Sequence, residues 1–311
     1  MSMAMRIRAR LCSLTWLGRC KKPQPLRKHL ALFALGLLPI GGWAQALAPG
    51  LAADSAPVAP AQRIVSLAPH ITELVFAAGA ADRLVGTVHS SDYPPAARTL
   101  PRVGDGLHID PETLVSLEPD LVLGWQAGAT QTVAPILKAL NIPLIHINPT
   151  SVSDIPDAIE TIGRLTNNSI TAQKVAESIR ERLYKLSRTA PAKPVSVVLE
   201  ISATPLYVVG NDPLLTDALR YCNATNHFAN VLQAAPLISV ENLLARPPDF
   251  IVVRSKPHRT MTERIEYLAN KGVRAARQKK IIGLDPDLLF RPGPRLVDAL
   301  EQLCAQLLDQ R

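Results

Sequence analysis

The stretch SITAQKVAESIRERLYKLSR, residues 169–188, decides the expected architecture of this chain. Its apolar residues recur at helical spacing and form one stripe, which consists of Val175, Ile179, Leu183 and Leu186. Lys, Arg and Glu fill most of the remaining surface. A helix with so much polar surface is either a bridge between two lobes or an ordinary amphipathic surface helix. Because strand-and-helix sets of similar size flank it, we expect a bridge.

Short β-branched runs alternate with helix-length segments on both sides of this stretch. The predicted strands are residues 63–67, 84–88, 121–125 and 144–148, then 195–201, 250–254 and 280–284. The predicted helices include residues 70–79, 111–117, 132–140 and 294–308. Near-continuous apolar strands are typical of parallel sheets that are buried on both faces. The predicted fold class is therefore α/β, with two lobes of mostly parallel sheets joined by a single long helix.

The first 46 residues have the pattern of a secretory signal peptide. They hold eight basic residues and no acidic one, then an apolar run over residues 30–40 and the small-residue exit Ala44-Gln45-Ala46. The apolar run is too short to span a bilayer. The alternative of a lipid anchor is disfavoured because Cys20 precedes the apolar run. The predicted divisions are a signal peptide (1–46), a flexible Ala/Pro-rich linker (47–62), a first lobe (63–167), the linking helix (168–190) and a second lobe (191–311).

The charge balance and the cysteines narrow the class of protein. The formal net charge of +8 belongs to the leader, because the rest of the chain holds 26 basic and 26 acidic residues. We therefore expect an exported, soluble protein with no nucleic-acid partner. Two cysteines follow the leader, Cys222 and Cys304. An even pair in an oxidising compartment is a disulfide candidate, and two separate buried thiols are the alternative.

The sequence contains no nucleophile elbow, Walker A loop, dinucleotide fingerprint or zinc-protease helix. After the leader the histidines never occur as close pairs, so we predict no metal site; they are His70, His89, His108, His146, His227 and His258. Polar and aromatic residues instead follow the predicted strands, where α/β sheets bind ligands. They are His70, the segment SSDYPP at 90–95, Trp125, Asp287 and Arg291. We expect them to face one cleft between the lobes. For Trp125 the alternative is burial in the core of its lobe, and for His70 it is a helix cap.

Four segments resemble the helical-backbone periplasmic binding proteins of ABC importers, within them most closely the cobalamin-binding branch. They are RIVSLAPHITELVFAAGAADRLVG (63–86), SSDYPPAA (90–97), LPRVGDGLHIDPETLVSLEPDLVLGW (100–125) and FRPGPRLVDALEQL (290–303). The resemblance covers most of residues 63–308. It implies two Rossmann-like lobes joined by a rigid helix, a periplasmic location, a monomer and no catalysis. The implied ligand is cobalamin or another corrinoid, which is transported and is not a cofactor, and the implied partner is an ABC permease.

The resemblance also implies roles for single residues. Glu112 and Glu241 match two glutamates, one in each lobe, that meet arginines of the permease. A carboxylate near the start of a helix is also stabilised by the helix dipole, which is the alternative explanation for both. Trp125 matches an aromatic residue that packs on the corrin, and Asp287 and Arg291 match polar contacts from the second lobe. The matching cysteine pair strengthens the disulfide prediction.

The chain departs from the cobalamin-binding branch where that branch has further aromatic residues; the positions are Ser90, Gly106 and Ala235. A small residue of that branch is replaced by His70. Fewer aromatic faces leave less apolar area to bury a flat macrocycle, and His89 and Tyr207 are candidates to compensate. A cobalamin precursor, haem or a ferric siderophore is therefore an alternative ligand, with His70, His89 or Tyr93 as possible iron ligands. The alternative from another class is a secreted α/β enzyme.

Overall fold

A computed structural model of the chain describes residues 59–190, 192–255 and 261–309. The predicted signal peptide, most of the predicted linker and His258 lie outside these residues. The strands are β1 (Ile64–Ser66), β2 (Leu84–Gly86), β3 (Leu121–Gly124), β4 (Leu144–His146), β5 (Val195–Ala203), β6 (Leu206–Val208), β7 (Ala224–Asn226), β8 (Phe250–Arg254) and β9 (Ile281–Leu284). The α-helices are α1 (Pro69–Ala77), α2 (Pro111–Ser116), α3 (Ala134–Ala139), α4 (Asp154–Leu165), α5 (Ser169–Thr189), α6 (Pro213–Arg220), α7 (Val240–Ala245), α8 (Thr262–Asn270), α9 (Arg274–Arg277), α10 (Pro286–Leu289) and α11 (Arg295–Asp309).

The strands form two sheets, one before α5 in the chain and one after it. The first sheet is fully parallel, in the order β2-β1-β3-β4. The second has the order β6-β5-β8-β9, and β7 also pairs with β5. Its pairs are parallel except for β5 with β6, which is antiparallel. This arrangement confirms the predicted α/β class with mostly parallel sheets.

Both sheets are buried on their two faces, which explains their near-continuous apolar strands. In β1, Ile64 and Val65 are fully buried but belong to different apolar clusters. In β5, Val198 and Leu199 are divided between clusters in the same way. One cluster includes residues of both sheets and of α1, α4, α5 and α11. The two lobes therefore share one continuous apolar core.

The stretch that was predicted to link the lobes forms the 21-residue helix α5. Its buried residues form the predicted stripe with two alanines added: Ala172, Ala176, Ile179, Leu183 and Leu186. Asn168, just before α5, donates to Gly79 O of the first lobe at 2.8 Å. Arg182 pairs with Asp298 and Glu301 of α11 at 2.5 and 2.7 Å. Helix α5 thus contacts both lobes.

Helix α4, which the sequence analysis did not predict, packs along α5. Arg180 of α5 pairs with Glu160 of α4 at 2.6 Å. Two helices, and not one, therefore lie between β4 and β5 in the chain.

A disulfide in the second lobe joins a cysteine just after α6 to a cysteine in α11. Cys222 and Cys304 are bonded with an S–S distance of 2.05 Å, which confirms the predicted pair. In the part of the chain that the structure describes, no helix combines the length and apolarity needed to cross a membrane.

Candidate functional site

The carboxyl ends of the strands in the two lobes meet at one place. Asp92, in the loop after β2, pairs with Arg291, which follows β9 and α10, at 2.7 Å. This contact joins residues 199 positions apart in the sequence. The strand-end residues of the first lobe therefore face those of the second, as the sequence predicts for a ligand cleft.

Trp125 lies at this edge, directly after β3, and is held from two sides. Its ring meets His70 edge-on, with centroids 5.1 Å apart and an interplanar angle of 80°. Its Nε1 donates to Asn148 Oδ1 at 2.9 Å. The residue stays 37% exposed. The alternative of complete burial in the core is therefore wrong.

His70 is the second residue of α1 and lies almost completely inside the protein, with 3% of its surface exposed. Among the described residues its Nε2 has no hydrogen-bond partner, although the atom is buried. Burial, helped by the positive charge of Arg291, lowers the pKa of His70 to about 3. The imidazole is therefore neutral at neutral pH. The helix-cap alternative does not apply, because Ala68 is the N-cap of α1.

A charge cluster of five residues connects the two lobes beside Trp125. It consists of Glu73, Asp92, Asp287, Arg291 and Arg295. Glu73 on α1 is buried and accepts from Arg295 at 2.9 and 2.5 Å. Arg291 reaches Glu73 at 3.4 Å, Asp92 at 2.7 Å and Asp287 at 3.0 Å. Arg291 is thus shared among three carboxylates and fixes the second lobe against the first.

The charge cluster also shapes the protonation of Asp92 and the position of Tyr93. Burial alone raises the pKa of Asp92, but the hydrogen bond and charge of Arg291 outweigh it, so the net pKa is below its usual value. The Tyr93 ring lies 4.0 Å from the Arg295 guanidinium in cation–π geometry. Tyr93 is 44% exposed.

Four buried hydroxyl groups fix the loop that carries Asp92 and Tyr93. They belong to Ser66, Thr72, Thr87 and Ser91. Ser91 Oγ lies 2.9 Å from the Thr72 hydroxyl and 2.7 Å from that of Thr87. Thr72 also contacts Ser66 at 2.6 Å. Because buried hydroxyls are satisfied within this network, the loop is anchored to β1 and α1.

Other predicted site residues are less closely tied to this place. Ser90 is exposed, two residues before Asp92. Tyr207 is half-buried on β6 and is paired through its backbone with Ser202. In the described ranges, none of the hydrogen bonds or ring contacts joins Tyr207 to the charge cluster. His89 lies exposed, with Nδ1 2.6 Å from Gly104 O.

The two predicted docking glutamates lie on the surface, one in each lobe. Glu112 is in the first turn of α2, where Asp110 caps its amide at 3.1 Å. Glu241 is in the first turn of α7, and the Ser239 hydroxyl lowers its pKa. Both are exposed. This placement fits docking and also fits stabilisation by the helix dipole.

The sequence analysis missed Glu73 and Arg295, and it named Asp92 only as part of the segment SSDYPP. A signal for Glu73 was present, because a glutamate inside the apolar run PHITELVFA is rarely buried without a partner. Over residues 59–190, 192–255 and 261–309, no group of three or more His, Cys, Asp or Glu side chains is arranged to hold a metal ion.

Comparison with known proteins gives consistent results. A family model described as periplasmic binding protein matches residues 64–288. A vitamin B12-binding protein of Photorhabdus laumondii is 34% identical over 248 residues, which cover 79% of this chain and 88% of that protein. The crystal structure of the periplasmic vitamin B12-binding protein of Vibrio cholerae has a TM-score of 0.73 and 31% identity, covering 81% of this chain and 98% of that one. A periplasmic haem-binding protein from Roseiflexus has a TM-score of 0.71 at 24% identity, covers 80% of this chain and 98% of that one, and so shares the fold alone.

Proposed function

Since this chain belongs to the periplasmic binding protein family, we propose that it captures cobalamin or a related corrinoid between its two lobes and delivers it to an ABC permease. The observation that carries this proposal is the partly exposed Trp125, held at the meeting point of the two strand-end edges. Relatives that are named for vitamin B12 binding and match most of the chain support the ligand class. The chain performs no catalysis in this role.

The first lobe supplies flat and apolar contacts to the ligand. The Trp125 ring packs against one face of the corrin, and Tyr93 adds a second aromatic surface at the rim. His70 supports Trp125 from beneath, Ser90 lines the same loop, and Tyr207 contributes from the second lobe. Burial of a macrocycle against such surfaces is the main source of affinity in ligand pockets, with a few polar groups fixing its orientation.

The second lobe supplies the orienting polar groups, Asp287 and Arg291. Arg291 is already bound by carboxylates of both lobes. A ligand amide that approaches it exchanges with one of these partners and does not find an empty guanidinium. Asp92 is the exchangeable partner, because its side chain is half exposed whereas that of Glu73 is 2% exposed.

Glu112 and Glu241 are the proposed contacts with the permease. They are exposed, belong to different lobes and are not members of the charge cluster. A protein that presents one carboxylate on each lobe offers two separate anchors to a membrane partner with arginines. We place the monomeric protein in the periplasm, exported by the leader in residues 1–46.

A haem binder is the second candidate, and one observation favours it. His70 has a neutral imidazole whose Nε2 has no hydrogen-bond partner in the part of the chain that the structure describes, and a neutral imidazole is a ligand for haem iron. The buried position of that atom counts against it, because ligation requires the ring to turn toward the cleft.

Titration calorimetry of the protein without residues 1–46 tests the proposal. We expect saturable one-to-one binding of cyanocobalamin that an equal concentration of haemin does not displace. Binding of haemin without cyanocobalamin would establish the second candidate. Binding of neither compound would contradict both.

The docking role has its own test. The double variant Glu112→Ala and Glu241→Ala keeps its affinity for cyanocobalamin but abolishes cobalamin-dependent growth of cells. The matched control, Glu118→Ala with Glu266→Ala, keeps both. Uptake that survives in the docking variant would show that these glutamates do not contact the permease.

A further inference from the structure

The second lobe contains a cavity that the roles described above do not use. Its volume is about 640 Å³, within the usual range for ligand pockets. Its wall has an apolar part, Val253, Met261 and Tyr267, and a hydroxyl-bearing part, Ser202 and Thr204. This mixture of apolar surface and hydroxyl groups suits a ligand part that is itself half apolar and half polar.

The charges in the cavity leave one cation open. Glu200 and Arg264 form a close pair, with 5% and 15% of their side chains exposed, so they neutralise each other. Arg254 is exposed and, among the described residues, donates a single hydrogen bond, to Ile201 O at 3.2 Å, and forms no ion pair. Most donors of its guanidinium are therefore free for an anion, which arginine recognises through paired hydrogen bonds.

The cavity lies at the edge of the second sheet that faces the first lobe. Ser202 is near the carboxyl end of β5, Thr204 is the first residue after that strand, and Arg254 is the last residue of β8. Strand β9 pairs with β8, and the segment after β9 carries Arg291, which reaches Asp92 of the first lobe.

The strand order strengthens this placement. In each sheet the first strand of the lobe pairs in parallel with the strand that lies next to an edge strand: β1 pairs with β3, which is beside β4, and β5 pairs with β8, which is beside β9. Arg254 at the end of β8 thus has a place in the second sheet that corresponds to that of Trp125, directly after β3, in the first.

We infer that this cavity binds the nucleotide arm of a complete corrinoid, with Arg254 contacting its phosphodiester. The inference rests on the proposed function and deepens it. The phosphodiester carries one negative charge, which suits the open guanidinium. The hydroxyls of Ser202 and Thr204 suit the ribose, and Tyr267 and Met261 suit the aromatic base. Arg254 is therefore a specificity residue that separates complete corrinoids from those that lack the nucleotide.

Calorimetry with two probes tests this inference: cyanocobalamin, and dicyanocobinamide, which lacks the nucleotide arm. The wild-type protein should bind cyanocobalamin about tenfold more tightly, as expected for one charge-assisted contact at a partly exposed site. Arg254→Gln should remove most of this preference by weakening cyanocobalamin binding, and should leave dicyanocobinamide binding unchanged. Glu263→Gln, which removes a carboxylate from the cavity wall, should strengthen cyanocobalamin binding alone, by about twofold.

The control variant is Arg220→Gln, which removes another exposed arginine of the second lobe and should change neither affinity. Equal wild-type affinities for the two probes would overturn the inference and leave the proposed function intact. An equal loss for both probes in Arg254→Gln would also overturn it. Failure of the wild-type protein to bind either probe would contradict the proposed function itself, and the inference with it.

Discussion

The two edges that meet at the cleft are built from different chemistry. The edge of the first lobe presents rings, Trp125 and Tyr93, over a buried neutral imidazole and a network of hydroxyls. The edge of the second lobe presents guanidinium groups, Arg291 and Arg295, and both are committed to Glu73 of the first lobe. The first edge therefore has free surface for a ligand, whereas much of the second edge is engaged in holding the lobes together.

Because of this difference, we expect the first edge to contribute mainly to ligand binding and the second mainly to the stability of the fold. Changes to the rings of the first edge should weaken ligand binding and leave folding nearly intact. Changes to the charge cluster should destabilise the protein, because a buried ion that loses its partner is costly. The predictions below test this division.

The largest effect is expected for Glu73→Gln. The substitution leaves Arg291 and Arg295 without their buried carboxylate and should lower the free energy of unfolding by about 5 kcal/mol. Urea denaturation measures the loss. The control is Glu177→Gln on the exposed surface of α5, with an expected change below about 0.5 kcal/mol. A loss under about 1 kcal/mol for Glu73→Gln would show that the arginines do not depend on it.

Removal of the disulfide should come next. Cys222 and Cys304 are 82 residues apart, and a loop of that order gives a stabilisation of roughly 4 kcal/mol in the chain-entropy model, less where the unfolded chain retains structure. The double change to Ser should lower the urea midpoint but keep cyanocobalamin affinity, because both residues are buried in the apolar core. An equal loss of affinity would show that the bond also shapes the site.

The pH dependence of stability tests the buried imidazole of the first edge. The pKa of His70 is about 3 in the folded protein and 6.5 in the unfolded chain, so the unfolded chain binds more protons between these values. Stability should therefore fall as the pH drops from 6.5, by on the order of 3 kcal/mol at pH 4. In denaturation across this range, the free energy of unfolding of His70→Leu should fall less steeply with pH than that of the wild type. The control His108→Gln, which alters an exposed histidine, should follow the wild type. Parallel curves for His70→Leu and the wild type would contradict the assignment.

The variant Trp125→Ala should cause the smallest loss of stability in this series, together with a large loss of affinity for cyanocobalamin. Trp125→Ala should weaken cyanocobalamin binding by about tenfold to a hundredfold, because it removes one aromatic face, while the free energy of unfolding changes by less than about 1 kcal/mol. Calorimetry and denaturation of the same sample measure both. Unchanged affinity would remove Trp125 from the site, and a loss of stability like that of Glu73→Gln would erase the difference between the two edges.

The strands and the linking helix were predictable because their signals are local. The buried strands read as apolar runs, and the stripe of α5 repeats over about four turns. Helix α4 also carries such a stripe, Ile155, Ile159 and Ile162, so its omission was an error of reading and not a missing signal. Strands β6 and β7 have three residues each. Both form by pairing with the long strand β5.

The charge cluster was harder to predict because its members are distant in the chain. Arg291 and Arg295 meet Glu73 across 218 and 222 residues. The sequence indicated Arg291 by its place after a strand, but nothing local pairs it with α1. Likewise, the exposure of Trp125 depends on Asn148 and His70, which are brought to it only by the fold.

Hydrogen exchange of the protein without residues 1–46, with and without cyanocobalamin, tests the central claim most directly. If the ligand lies between the two edges, the bound protein should show slower exchange at both edges. We expect protection at residues 89–93 and 125–130 of the first lobe, and at residues 202–207 and 285–291 of the second. Protection confined to one lobe, or absent from both edges while cyanocobalamin is bound, would contradict the account.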